Sequence, residues 1–295
     1  MPIVTMTQVL ADARKGGYVV CYCESWNLES LQAVLEAAEE SRSPIIAGFN
    51  GEFLLHSLKA HPENLALYAA LGLARRDISV PVAFLLNETD DFEQLKRGIE
   101  LGFTAVMVES ETLSLDEYRQ LVKAVVRVAH PKQVSVEAQI GQLRDARLGA
   151  GSREEITDPE LARTFVEETG VDALGIAIGN VHVMTEGKAT IDLEALRRIS
   201  AAVKIPLVLH GGSGFPPELA SEVAALGVAK INFGTVLKQA YLAATAQTLN
   251  RYQGSRNPHA LLGMGGEQDI LVAAREAVKA KVKELLSLYG SAGKA

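Results

Sequence analysis

Histidine, carboxylate and carboxamide side chains recur at one kind of place in this sequence: the end of a short apolar run. Tyr18–Cys23 is followed by Glu24, Val80–Leu86 by Asn87 and Glu88, and Ala105–Glu109 ends in a carboxylate. Gln133–Ala138 carries Glu137 and leads to Gln139, and Ala173–Ile178 leads to His182. Pro206–His210 ends in His210 and Ala229–Asn232 in Asn232. Two imidazoles with an oxygen donor suit a divalent metal such as zinc. Each histidine alone also fits a hydrogen-bonded rim residue; their joint placement after consecutive runs favours a metal. Glu24, Glu109 and Glu137 are the carboxylates available to move a proton, provided they come within hydrogen-bond reach of it.

A second chemistry is written into two turns. His210-Gly211-Gly212-Ser213-Gly214 is followed by Phe215-Pro216-Pro217, a glycine-rich turn into a segment opened by proline. Asn232-Phe233-Gly234-Thr235 offers another turn after the last apolar run. Exposed backbone N–H groups at such turns and at helix N-termini hold phosphate. Lys230 would matter if it formed a Schiff base, which would imply metal-free chemistry on a carbonyl substrate; the two histidines argue against that, and a structural role is expected.

The apolar runs, with Pro44–Gly48, number eight, and most are rich in Val and Ile, as buried parallel strands are. Amphipathic stretches alternate with them: Asn27–Glu40, Asp91–Leu101, Ser114–Val128, Asp158–Glu168, Asp192–Val203 and Pro216–Leu226. Several open on Ser or Asp, good N-caps. Eight repeated strand–helix units predict a closed (β/α)8 barrel whose active site lies at the C-terminal ends of the strands. An open doubly wound sheet is the rival, but no GxGxxG follows the first run. Thr5–Lys15 and Asp269–Tyr289 predict additional N- and C-terminal helices. Gly141–Thr157 is polar, glycine-containing and aperiodic, and is expected to be a flap over the barrel mouth. No Pro/Ser/Gly-rich linker divides the 295 residues, so one domain, 1–295, is expected.

Composition narrows the partners. Apolar residues make up 48% and the net charge is −7, from 29 Lys+Arg against 36 Asp+Glu. That argues against nucleic-acid and anionic-membrane binding, which need a basic surface, but leaves a local phosphate pocket open. Cys21 and Cys23 stand too close in sequence for an ordinary disulfide, and no 18-residue apolar run or signal-peptide core is present. A cytoplasmic protein with a phosphorylated small-molecule substrate is the expectation.

The chain resembles the class II fructose-bisphosphate and tagatose-bisphosphate aldolase family over nearly its whole length. The densest part is TDPELARTFVEETGVDALGIAIGNVH, then IPLVLHGGSGFPPE and GVAKINFGT, within Thr157–Thr235. NLESLQAVLEAAEESRSP, GFTAVM and VSVEAQIGQL follow the same pattern. The resemblance implies a divalent metal, usually zinc, held by three histidines; it polarises a ketose carbonyl and stabilises the enediolate left by carbon–carbon cleavage. His182 and His210 match the second and third of those histidines. Gly179, Gly211, Gly212, Ser213, Asn232, Gly234 and Thr235 fall at or beside the substrate and phosphate positions. Family members are dimers or tetramers, so a homodimer or homotetramer is expected.

The departures from the pattern concentrate on one strand end. The family's Leu-Asp-His-Gly is Leu86-Asn87-Glu88-Thr89 here. The acid/base aspartate is thus Asn87, which cannot titrate, and the first metal histidine is Glu88. Glu109 replaces an aspartate, Gln139 replaces a glutamate while Glu137 is kept, and Val183 replaces a glycine. Glu88 is expected to serve as ligand, giving Glu88–His182–His210, a donor set tilted toward harder ions such as manganese; the alternative is that Glu88 transfers the proton. Three functions stay open on the sequence: a metal-dependent lyase acting on a phosphorylated ketose, a catalytically silent phosphosugar-binding relative, and an isomerase or epimerase using the same enediolate.

Overall fold

The computed structural model describes residues 3–55, 61–74, 78–145, 156–251 and 257–295. Its barrel strands are β1 (Val20–Ser25), β2 (Ile45–Asn50), β3 (Val82–Thr89), β4 (Ala105–Val108), β5 (Ser135–Ile140), β6 (Ala173–Ile176), β7 (Leu207–Leu209) and β8 (Val228–Phe233). All are parallel, and β8 returns to pair with β1, closing the order β1-β8-β7-β6-β5-β4-β3-β2. Closure puts β3 and β4 diametrically across from β7 and β8, which decides the layout of the site.

The helices are α1 (Met6–Gly16), α2 (Leu28–Glu40), α3 (Gly51–Leu55), α4 (Leu65–Ala74), α5 (Phe92–Leu101), α6 (Leu115–Ala129), α7 (Pro159–Thr169), α8 (Leu193–Ala202), α9 (Ala220–Ala225), α10 (Thr235–Arg251), α11 (Pro258–Leu261) and α12 (Ile270–Leu288). Their starts are chemically specified. Asn27 with Ser30 and Ser114 with Glu117 form reciprocal capping boxes, and Asp91, Asp158 and Asp192 cap α5, α7 and α8. The segment expected to be one helix from Pro216 begins with a short 3-10 turn, Pro217–Leu219, before α9, because two prolines delay the α-helical hydrogen bonds. Of the proposed flap, 146–155 lie outside the described residues; at its start Arg144 and Asp145 pair with Val181 and His182.

Strand residues alternate between two apolar layers. Cys21, Cys23, Phe49, Phe84 and Val106 face the helices. Val20, Tyr22, Ile46, Leu85, Met107 and Val208 fill the barrel, joined from one end by Met6, Val9, Leu10 and Ala13 of α1. The Val4 N–H donates to the Val82 carbonyl at 2.9 Å and Thr7 Oγ1 lies 2.8 Å from Ser135 Oγ, so α1 stoppers the end at which the strands begin. Only the opposite mouth is left for a ligand. No helix among the described residues is long and apolar enough to cross a membrane.

If α1 is this stopper, Leu10→Ala, at a position with no solvent exposure, lowers stability by about 2–5 kcal/mol. Urea unfolding measures it.

Candidate active site

A cavity of about 880 Å³ opens at the C-terminal ends of the strands. Of the residues singled out in the sequence, Asn87, Glu88, Glu109, His182 and His210 line it, as do Gly211, Ser213, Asn232, Gly234 and Thr235. Glu137, Gly179 and Gly212 do not. Glu137 lies beneath the floor; the two glycines shape the backbone.

The floor is a buried charge relay. Lys230 Nζ donates to both Glu137 oxygens, at 2.9 and 2.7 Å, and neither side chain is exposed. Glu137 Oε1 in turn lies 3.0 Å from His210 Nε2. Burial alone would raise the Glu137 pKa, but the Lys230 charge and the His210 bond hold it below the usual carboxylate range. Burial lowers the Lys230 pKa against the opposing pull of Glu137. Lys230, over the Tyr22 ring at 5.1 Å, is thus a structural cation and not an exposed amine. Because Glu137 accepts at Nε2, the other ring nitrogen of His210 is turned to the cavity. The Asn232 amide also lies 3.0 Å from Nε2; turned end for end, its oxygen would share that proton.

Glu88 reaches the same imidazole from across the barrel. Its backbone is left-handed, φ +54°, and the β3–β4 register shifts between Leu86 and Thr89. This irregularity re-aims the strand end, so Asn87 and Glu88 both line the cavity instead of pointing to opposite faces. Glu88 Oε1 lies 3.3 Å from His210 Nδ1, while Oε2 accepts from the Asn50 amide. Burial would raise the Glu88 pKa, but His210 outweighs it and brings it to about 2. Burial first, and then the neighbouring Glu88 charge, push Glu109 up to about 8; its Oε1 accepts from Gln139 at 3.1 Å. His210 would be lowered by burial, but bonds to Glu137 and Glu88 raise it to about 9.

The residues present fit a divalent cation. His210 Nδ1 is buried and makes no well-aligned hydrogen bond, although Glu88 is close. Two donors each about 2.0–2.1 Å from a tetrahedral ion stand about 3.3 Å apart, the separation seen here. Ligand atoms of Glu88, Glu109 and His210 all fall within 4.8 Å of one another. His182 lines the cavity beside them, its ring centre 6.0 Å from that of His210.

Opposite the carboxylates lie the two glycine turns. Gly211 has φ +73°, and a Cβ there would sit 2.2 Å from the Val181 carbonyl oxygen, so only glycine fits. Ser213 Oγ accepts from the Val236 N–H at 3.3 Å, tying the β7 turn to the first turn of α10. Gly211 and Ser213 of the first turn and Gly234 and Thr235 at the start of α10 thus border one region of the cavity. Tyr22 OH, Asn87 Oδ1 and Asn232 Oδ1, also on the cavity wall, are buried without hydrogen-bond partners, as expected of groups that wait for a polar ligand. Lys238, which the sequence did not mark, also lines the cavity and donates to Glu24 at 2.6 Å. Its only signal was a position one turn after Gly234-Thr235.

The sequence model of the family described as fructose-bisphosphate aldolase class-II matches residues 4–294, and the chain belongs to that family. The fructose-bisphosphate aldolase of Staphylococcus aureus (strain Mu50) is 33% identical over 291 residues, covering 96% of this chain and 97% of that protein. That of Geobacillus stearothermophilus is 33% identical over 307 residues, covering 100% and 99%. Among solved structures, the YdjI aldolase of Escherichia coli K12 superposes with a TM-score of 0.81 at 28% identity, covering 99% of both chains. The protein is a metal-dependent aldolase-type lyase, and these relatives disfavour the silent-relative and isomerase alternatives.

Two outcomes follow from the relay. Lys230→Met leaves Glu137 charged and buried without its partner and destabilises by about 3–5 kcal/mol; adding Glu137→Gln, which still accepts from His210, recovers most of it in chemical denaturation. The second outcome concerns pH. The His210 contribution, from a pKa raised from 6.5 to about 9, is present below 6.5 and lost as pH rises through 9. The Glu109 contribution, from a pKa raised to about 8, is lost in the same direction, whereas that of Glu88, lowered to about 2, stays constant above 4.5. The melting temperature of metal-free protein therefore falls between pH 6.5 and 9, and added divalent ion raises it more at the upper end, where protons no longer compete.

Proposed function

We propose that the enzyme cleaves, and in reverse forms, a carbon–carbon bond in a phosphorylated ketose or related sugar phosphate at this mouth. The observation that carries the reading is the Glu88–His210 donor pair, at 3.3 Å, facing two amide-rich turns across one cavity. Glu88 and His210 anchor a divalent cation and His182 completes the set. Zinc is the ion usual for the family, and the carboxylate widens the choice toward manganese. Once bound, the ion supplies Lewis acidity to the ketose carbonyl and to the enediolate.

The remaining work falls to the chain's own groups. The amides of Gly211 and Ser213 and the N-terminus of α10 at Gly234 and Thr235 hold the phosphate, while Gly179 and Gly212 keep the adjoining turns. Asn87 and Asn232 orient substrate hydroxyls and carbonyl. Glu137, sealed and saturated by Lys230 and His210, is a positioning residue. Glu24 is engaged by Lys238. That leaves Glu109, which lines the cavity with an oxygen within 4.8 Å of the Glu88 and His210 donor atoms, to carry the proton. A second reading, favoured by the convergence of Glu109 with Glu88 and His210, makes Glu109 the third ligand in place of His182.

A homodimer or homotetramer is proposed, supported by the exposed apolar Leu242, Leu249, Leu262 and Met264. The chain acts as one domain, 1–295, since β8 closes on β1. A cytoplasmic setting is supported by two free, buried cysteines.

Purified protein should carry a stoichiometric divalent ion and release a triose phosphate from a ketose phosphate. His210→Ala should lose the ion and lower turnover by more than about a hundredfold. Metal content decides the third ligand: His182→Ala loses ion and Glu109→Gln keeps it under the first reading, and the reverse under the second. Solvent deuterium entering unreacted substrate without cleavage would contradict the lyase assignment.

A further inference from the structure

The two halves of the cavity wall carry opposite chemistry. The β7 and β8 side presents the turn at Gly211 and Ser213 and the N-terminus of α10. The diametric side, after β3 and β4, presents Asp90, Asp91 and Glu111 on the rim, above Glu88 and Glu109. A cation held by the deeper pair offsets their charge but not that of the rim. Asp90 accepts from Ser110 Oγ at 2.7 Å, and Asp91 accepts from the Gln94 N–H at 2.8 Å as the cap of α5. Both are therefore held as hydrogen-bond acceptors. Among the described residues, Lys238 is the sole Lys or Arg on the wall; it rises from α10, and its ammonium pairs with Glu24 at the end of β1 and lies 4.5 Å from the centre of the Phe53 ring, after β2.

A phosphate group brought against the β3–β4 rim would meet Asp90, Asp91 and Glu111 and, among the described residues, no cation on that wall. A hydroxyl group there could donate to the carboxylates at no electrostatic penalty. Asn87 Oδ1 and Tyr22 OH, both buried, lining the cavity and unpartnered, also call for a polar, uncharged ligand chain. Resting on the phosphosugar reading above, we infer that the substrate carries a single phosphate, seated at the β7–β8 turns, and that its far end is an uncharged polyhydroxylated chain lying along the β3–β4 carboxylates. A ketose bisphosphate is thus the wrong substrate for this mouth.

Hexitol 1-phosphate and hexitol 1,6-bisphosphate lack a carbonyl and bind without reacting, so calorimetric titration of the metal-loaded enzyme with each tests the inference. The monophosphate is expected to bind at least about tenfold more tightly. The gap should narrow in Asp90→Asn/Glu111→Gln through improved bisphosphate binding, with monophosphate affinity little changed. Equal or tighter binding of the bisphosphate by the unaltered enzyme would overturn the inference, as would binding of neither. Retro-aldol assays with ketose mono- and bisphosphates keep the two claims apart. Monophosphate preference in binding without any cleavage refutes the lyase reading alone. Cleavage with preference for the bisphosphate refutes the inference alone.

Discussion

A glutamate with no solvent exposure, held between a lysine and a histidine, is the constraint on which the site depends. Glu137 comes from β5, His210 from the end of β7 and Lys230 from β8, so the clamp ties three strands at the barrel floor. Burying such charges is tolerated only when each is paired and hydrogen-bonded. Here the pairing does more than offset desolvation. By occupying Nε2 of His210 it leaves Nδ1 as the only ring nitrogen for the cavity, and it holds the imidazole where Glu88 can meet it. In the proposed site, His210 is therefore set by Glu137 and Lys230, two groups that do not line the cavity.

The other half of the donor pair is built by backbone irregularity. Glu88 sits at φ +54°, where a non-glycine residue is strained, at a register shift between β3 and β4. Val183, beside His182, is left-handed as well, at φ +51°, at the position where the resemblance calls for glycine. Both departures from the family pattern thus fall at strained backbone beside the donor groups. Where the resemblance calls for a proton-accepting aspartate and a metal-binding histidine, the chain has Asn87, which cannot titrate, and the carboxylate of Glu88. Burial first, and then the Glu88 charge, push the Glu109 carboxyl up in the metal-free protein.

The barrel was legible in the sequence because each buried strand is a short apolar run and most helices show a clear apolar face. Residues just beyond those runs turned out to share one mouth, since parallel strands all end on the same side. Helix α4 escaped because it is apolar on every face, and α10 because its apolar residues follow no period and only Leu237 among them is buried. Within the site, the meeting of Lys230 with Glu137 was not legible: the two lie 93 residues apart and only closure of the barrel brings them together. The turn at Glu88 was equally hidden, because a regular strand would have sent Asn87 and Glu88 to opposite faces. Gly179 and Gly212 read as ligand-binding but do not line the cavity; a Cβ at Gly179 would fall 2.0 Å from the Thr190 oxygen and one at Gly212 2.5 Å from the Ile231 side chain. Sequence alone cannot separate a glycine that admits a ligand from one that admits its own chain.

The central claim is that Glu88 and His210 form one cation site at the mouth of the barrel. Anomalous diffraction at the absorption edge of manganese, from crystals grown with that ion, tests it most directly. The account predicts a peak bonded at once to a Glu88 carboxylate oxygen and to His210 Nδ1. A cavity without such a peak, or a peak held by other residues while His210 Nδ1 faces only solvent, would contradict it.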